Sequence, residues 1–233
     1  MSALSDLATS LDQVREIVRL EAGYSDPPGP SELAAVSGLR GAATVLTVAS
    51  FEAFLRSCFE EQLDRIVKSG IPLSSYSDDL HAGAIFASLE LAMKGDHSTR
   101  GTEKKDRLPT VLAVTRVISA GAFNPRALSS TESNPDSECV KRMFKTVGRK
   151  EIFRHVHPDF EKVWGTPVSG TFCSDKLNAL IVSRNQVAHS AQSAHLVRGD
   201  LTENVRFVEA LATVLSAALS SHVDDLIRDA ATV

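Results

Sequence analysis

Cysteine is scarce in this 233-residue chain. Cys58, Cys139 and Cys173 are odd in number, far apart, and form no C-x-x-C pair. A disulfide framework is thereby excluded, and a zinc ribbon has no support. Aromatic residues make up only 6%, while Ala, Leu, Val and Ser dominate, which favours helices over a β-sandwich. Positive charge is not in excess either. The formal net charge is −4, so no overall basic field advertises non-specific coating of DNA, although a single basic cleft stays open. No apolar stretch approaches the roughly 20 residues needed to span a bilayer. The start, "MSALSDLATSLDQVREIV", lacks the basic beginning and apolar run of a signal peptide. A cytoplasmic protein with no membrane partner is expected. Walker A, G-x-G-x-x-G and G-x-S-x-G patterns are missing too, which leaves nucleotide hydrolysis, dinucleotide binding and serine-hydrolase chemistry without a motif.

What is present is helical periodicity. Leu4, Leu7, Leu11, Val14, Ile17 and Val18 share one side of a helix over 3–22, which stops at the loop "GYSDPPGP". A second helical region opens at Ser31 and Glu32 and runs to about Lys68, where "SGIP" breaks it. Helices are expected at 83–94 and 108–120, flanking the charged loop "KGDHSTRGTEKKDR", and "GAFNPRALSSTESNPDS" reads as a second long irregular connection. Short helices at 136–147 and 149–154 precede "HPDFEKVWGTPVSG", which reads as a loop. The last two helices are placed at 173–190 and 201–229. No run alternates with period 2, so no strands are expected. The fold class is all-α: one helical bundle over 1–233 with a loop-rich helical insertion. Its parts are an N-terminal helix and loop (1–30), a core helix (31–69), the insertion (70–135), and the remainder to 233.

Two of these helices carry charge where a core should be. On a wheel of about 100° per residue, Val45, Val48, Ala49, Leu55, Phe59, Leu63, Ile66 and Val67 form one stripe of the long helix. Glu52 falls near its centre, with Arg56 nearby, while Phe51, Phe54 and Cys58 add apolar bulk on other sides. In "LNALIVSRNQVAHSAQ", Leu177, Leu180, Ile181 and Ala188 define a second stripe with Arg184 in its middle. Asn185 and His189 stack four apart on the adjacent edge. An ionised group inside an apolar face is costly unless paired, so Glu52 and Arg184 are expected to meet. One reading is purely structural: a buried Glu–Arg pair that sets helix register, with His189 at a helix end. The other is a site that grips phosphate, in which Arg184 supplies a guanidinium fork, His189 moves a proton near neutral pH, Asn185 orients, and Glu52 holds Arg184.

The R-N-x-x-x-H spacing of Arg184, Asn185 and His189 resembles the R-x4–6-H motif of the HEPN superfamily. "VASFEAFLRSCFEEQLDRIV" is similar to the early core helix of its RiboL-PSP-HEPN-like branch, where an acidic residue corresponding to Glu52 faces the motif. "SNPDSECVKRMFKTVGRKEIF" is similar to that branch's segment before the motif helix, and a loop and long terminal helix follow in the family's order. The resemblance covers most of 31–229, whereas 70–130 matches nothing. It implies an all-α homodimer that acts on RNA without metal or other cofactor. The ribose 2′-OH would attack its own phosphate, with His189 as general acid or base and Arg184 stabilising the phosphorane. It also implies a toxin or antiviral-defence setting, with a cognate antitoxin or activating protein as a further partner. Non-catalytic relatives keep the bundle as RNA- or partner-binding scaffolds, and the acidic net charge and unmatched insertion suit that alternative.

"KRMFKTVGRK" gathers Lys141, Arg142, Lys145, Arg149 and Lys150 around Phe144, the composition of an RNA-guiding rim or equally of an exposed helix face balanced by acidic neighbours. "HVHPD" offers an H-x-H metal pair without a strand or matching ligands, and reads better as a short helix ended by Pro158. A metal-dependent hydrolase built on it would lose activity to a chelator. His222 reads as a satisfied core histidine, and His195 as a loop residue within reach of the cleft.

Overall fold

The computed structural model describes residues 2–94, 103–131, 134–190 and 196–232. Among them every regular element is helical, as the period-3.6 patterns require. The α-helices are α1 (Ala3–Glu21), α2 (Leu33–Lys68), α3 (Asp78–Lys94), α4 (Leu108–Ser119), α5 (Pro125–Leu128), α6 (Ser137–Thr146), α7 (Ile152–Trp164), α8 (Phe172–Ser190) and α9 (Arg198–Ala230). Short 3-10 turns lie at Leu73–Ser75 and Lys104–Arg107, so part of the expected charged loop is ordered as a turn. The chain packs as two compact units. One comprises Met1–Cys58, Thr131–Val140 and Ile152–Ala217; the other comprises Phe59–Ser130, Lys141–Glu151 and Ala218–Val233. Helices α2, α6 and α9 contribute residues to both.

In the first unit, α1 starts where the Ser2 hydroxyl accepts the Ser5 amide at 3.3 Å, a side-chain N-cap. Its stripe of Ala3, Leu7, Leu11 and Val14 is buried, and one more heptad step places Glu21 at 0% exposure. That carboxylate is held from both sides. Arg40 Nε donates to Oε1 at 2.7 Å and Arg198 Nε to Oε2 at 2.6 Å, while Arg40 also reaches Asp26 at 2.9 Å and the Leu196 carbonyl at 2.8 Å. Burial works against the Arg40 charge, but hydrogen bonds to Asp26 and Glu21 outweigh it and raise its pKa. The network ties α1 and α2 to the start of α9.

Helix α7 differs from expectation. Pro158 does not end it: the helix runs from Ile152 to Trp164, and Gly165, at φ 85°, supplies the left-handed stop. An interior proline costs about 3 kcal/mol. Against that stand Ile152, Val156, Phe160 and Trp164, four apart and all buried, each giving about 1.5–3 kcal/mol on burial. Phe160 and Trp164 join Phe172 of α8 and Phe207 of α9 in one aromatic cluster with centroid separations of 5.6–6.1 Å. Arg206 lies 4.2 Å over the Trp164 ring and donates to the Trp164 carbonyl. This cluster sets where α8 begins.

In the second unit, α3 starts five residues earlier than the apolar pattern suggests, with Asp78 and Asp79 in its first turn, where the helix dipole favours acids. It packs against α4 and α5. A Cβ on Gly83 would collide with Thr146 Cγ2 of α6, so any larger residue there displaces the Thr146 side chain. His222 Nε2 pairs with the Val147 carbonyl at 2.7 Å, the satisfied histidine that its position on α9 suggested.

Two helices, Leu33–Lys68 and Arg198–Ala230, are long and apolar enough to cross a membrane by length and composition, contrary to the reading of the linear sequence. Their apolar side chains are used inside protein: Phe51, Leu55, Phe59 and Leu63 on α2 and Phe207, Leu211 and Leu219 on α9 are each at most 1% exposed.

Candidate functional site

Helix α8 is anchored through its first half and surfaces through its second. Leu177, Leu180 and Ile181 are buried, and Lys176 pairs with Glu203 of α9 at 2.6 Å. Helix α7 packs along it. Arg184 and Asn185 are then half-buried, and Ala188 and His189 are exposed. The expected stripe therefore ends one turn early: Ala188 faces outward, and the motif side chains stand where the helix leaves the core. Helical geometry keeps Asn185 and His189 about 40° apart around the axis and Arg184 and His189 about 140° apart. An arginine side chain is long enough to span that angle. His195 lies outside the described residues.

Glu52 sits on α2 with its side chain 21% exposed, half-buried rather than central to a sealed face. Thr131 Oγ1 donates to its Oε1 at 2.9 Å, and Arg56 Nη2 lies 3.6 Å from the same oxygen. The carboxylate expected to face Arg184 is thus engaged, among the described residues, by Thr131 and by an arginine of its own helix. A helical wheel reports direction, and direction alone did not reveal that residues near 131 come back to α2. The stripe around Glu52 also shifts, since Ala49 and Val67 are exposed while Phe51, Phe54 and Cys58 are buried.

The basic segment divides between surface and core. Lys141, Arg142, Lys145 and Lys150 are exposed and Arg149 is half-buried, but Phe144 is 1% exposed and meets Phe59 edge-on at 5.0 Å. A buried ring has no free face for a base, so the aromatic member of the expected rim is a core residue. Lys150 pairs with Asp79 at 3.4 Å.

The H-x-H pair sits on α7, where residues two apart diverge by about 200° and do not converge on one ion. Among the described residues no group of three His, Cys, Asp or Glu side chains has the arrangement of a metal site. All three cysteines are free and buried, and burial pushes the Cys173 thiol up to about 12.

The model of the RiboL-PSP-HEPN family matches residues 8–221. The chain belongs to that family. The match takes in both Glu52 and the R-N-x-x-x-H helix, together with the α3–α5 region that resembles nothing by motif. No curated protein and no solved structure matches the chain. HEPN domains are often ribonucleases.

Sequence reasoning passed over three polar residues, of which Thr131 touches Glu52 and Asn178 stands on α8. Thr131 carries no motif. Asn178 lies seven residues before Asn185 and eleven before His189, a spacing that puts all three on one helical stripe. Glu21 continues the stripe of Val14, so the test applied to Glu52 would have found it.

Proposed function

We propose that the protein is a metal-independent endoribonuclease of the HEPN type. The reading rests on one observation: Arg184, Asn185 and His189 cluster on the last two turns of α8, where a core helix emerges and its side chains become accessible. The residues suit phosphate-ester transfer. A ribose 2′-OH gives up its proton to a base, its oxygen attacks the adjacent phosphorus, and the P–O5′ bond breaks as an acid protonates the leaving O5′. The products are a 2′,3′-cyclic phosphate and a 5′-OH end. His189 moves the proton, as imidazole chemistry near neutral pH permits. Arg184 presents its fork to the equatorial oxygens as negative charge builds on them. Asn185, one helical turn before His189, holds the ring or the scissile group.

One histidine performs one proton transfer at a time, whereas the reaction needs a base and an acid. A homodimer bringing two α8 ends together supplies both, so the working unit in this proposal is the dimer. Lys141, Arg142, Lys145 and Lys150 offer exposed positive charge for an RNA backbone. The setting proposed is a toxin or defence effector held in check, or triggered, by a second protein.

The test is cleavage of mixed tRNA and mRNA in EDTA by wild type and His189→Ala, with product ends analysed. Wild type is expected to leave cyclic-phosphate ends. His189→Ala is expected to lose roughly 10²–10⁴-fold in rate with an unchanged helical spectrum. Equal rates in the two proteins would refute the assignment.

A scaffold reading has its own observation. Phe86 is 71% and Met93 63% exposed on α3, and α4 buries none of its residues although it carries Leu108, Leu112 and Val117. Exposed apolar side chains of this kind mark partner surfaces. A wild type without cleavage under any condition would favour that reading.

A further inference from the structure

A short chain of hydrogen bonds reaches both Glu52 and the motif helix. Thr131 is 3% exposed and donates through Oγ1 to Glu52 Oε1 at 2.9 Å. Its carbonyl accepts from Cys139 Sγ at 3.4 Å. Two residues before Cys139, at the first turn of α6, the Ser137 amide donates to Asn178 Oδ1 at 3.0 Å. Ser137 is itself 1% exposed, and Asp136 caps the turn by accepting the Cys139 amide at 2.8 Å. Asn178 stands on α8, on the stripe that Asn185 and His189 continue.

We propose that Thr131 and Asn178 are positioning residues of the ribonuclease site, setting the aim of Glu52 and the seating of α8 through the first turn of α6. This rests on the reading of Arg184 and His189 as catalytic. The physical case is a competition at one oxygen. Glu52 Oε1 has two suitors: the Thr131 hydroxyl at 2.9 Å and the Arg56 guanidinium at 3.6 Å on the same helix. Arg56 is largely exposed and one turn away, so alone it draws the carboxylate along α2. Thr131, fixed in buried surroundings, holds the carboxylate against that pull. At the other end, Asn178 satisfies an otherwise orphaned amide of the α6 first turn, and in doing so locks α6 to the motif helix two turns before Arg184. Neither residue needs to touch RNA.

The experiment compares wild type, His189→Ala, Thr131→Val, Thr131→Ser and Asn178→Ala as full chains, measuring kcat and KM for RNA cleavage in EDTA and Tm for each. Thr131→Val keeps the shape and removes the donor. Its kcat is expected to fall roughly ten- to a hundredfold with KM within about twofold, the scale of a misplaced catalytic group. Thr131→Ser is expected to restore the rate, because the hydroxyl returns. In a Glu52→Ala background, which removes the acceptor, Thr131→Val is expected to change kcat by less than about twofold, since both changes act through one contact. Should Thr131→Val not fold, Asn178→Ala tests the chain from its exposed end, with the same expected fall in kcat. Cleavage by Thr131→Val and Asn178→Ala at the wild-type rate, with His189→Ala inactive, overturns the positioning role alone. So does a Thr131→Val defect that Thr131→Ser shares. Wild type no faster than His189→Ala overturns the catalytic reading and the positioning role with it.

Discussion

Replacing Glu21 by alanine should be strongly destabilising. The carboxylate is completely buried and receives Arg40 Nε at 2.7 Å, Arg40 Nη2 at 2.6 Å and Arg198 Nε at 2.6 Å. Its removal strands the Arg40 guanidinium, whose side chain is 7% exposed, with only Asp26 at 2.9 Å and the Leu196 carbonyl at 2.8 Å. Breaking a buried pair by deleting one partner costs about 3–5 kcal/mol. Asp26 is 39% exposed and keeps part of the charge compensated, which favours the lower end, about 3 kcal/mol. For a chain of this length each kcal/mol moves Tm by about 2–4 °C, so a fall of roughly 6–12 °C is expected. Urea and thermal unfolding followed by helical circular dichroism at neutral pH measure it. The loss should persist in 1 M salt, because buried charges are poorly screened, whereas the exposed Arg15–Glu209 pair should contribute little that salt does not remove. A loss below about 1 kcal/mol would refute the argument that Glu21 neutralises Arg40. Because Arg40 and Arg198 also hold the chain where it returns to α9 after the motif helix, cleavage should decline alongside stability.

Two further outcomes follow from the same geometry. Pro158→Ala, on the exposed side of α7, removes an interior helix breaker costing about 3 kcal/mol and gives back about 0.4–1 kcal/mol of unfolded-chain entropy, so urea unfolding should show a gain of roughly 2 kcal/mol; no gain would mean that α7 is already relaxed around the proline. Glu32 accepts from Ser25 Oγ at 2.6 Å and the Gly29 amide at 3.1 Å, bonds that lower its pKa, so the stabilisation of the 25–32 turn is present above the ordinary glutamate pKa and is lost as pH falls through the lowered folded value. Amide exchange at Ser25 and Gly29 should therefore accelerate beyond its intrinsic pH trend only at acid pH, and Glu32→Gln should abolish that extra acceleration.

Much of the fold was legible because helices announce themselves locally. The stripe Leu7, Leu11, Val14 needs only a period of 3.6, and the ends of α2, α4, α8 and α9 lie close to where capping and breaking residues put them. The R-N-x-x-x-H spacing was legible for the same reason: it occupies one helix, and that helix lies inside the residues 8–221 matched by the family description. Pro158 misled because a local rule was set against burial it does not know of, the four-residue ladder from Ile152 to Trp164.

What tertiary structure alone decided are the partners. Glu52 was marked as a charge in need of compensation, and the compensation came from Thr131, 79 residues away, and from Arg56. Phe144 sat among lysines and arginines in sequence yet turned inward onto Phe59. Glu21 found Arg198 across 177 residues. Periodicity determines which face of a helix is buried, because that face repeats along the chain itself. Which group answers a buried charge depends on how distant segments pack, and no local spacing encodes that.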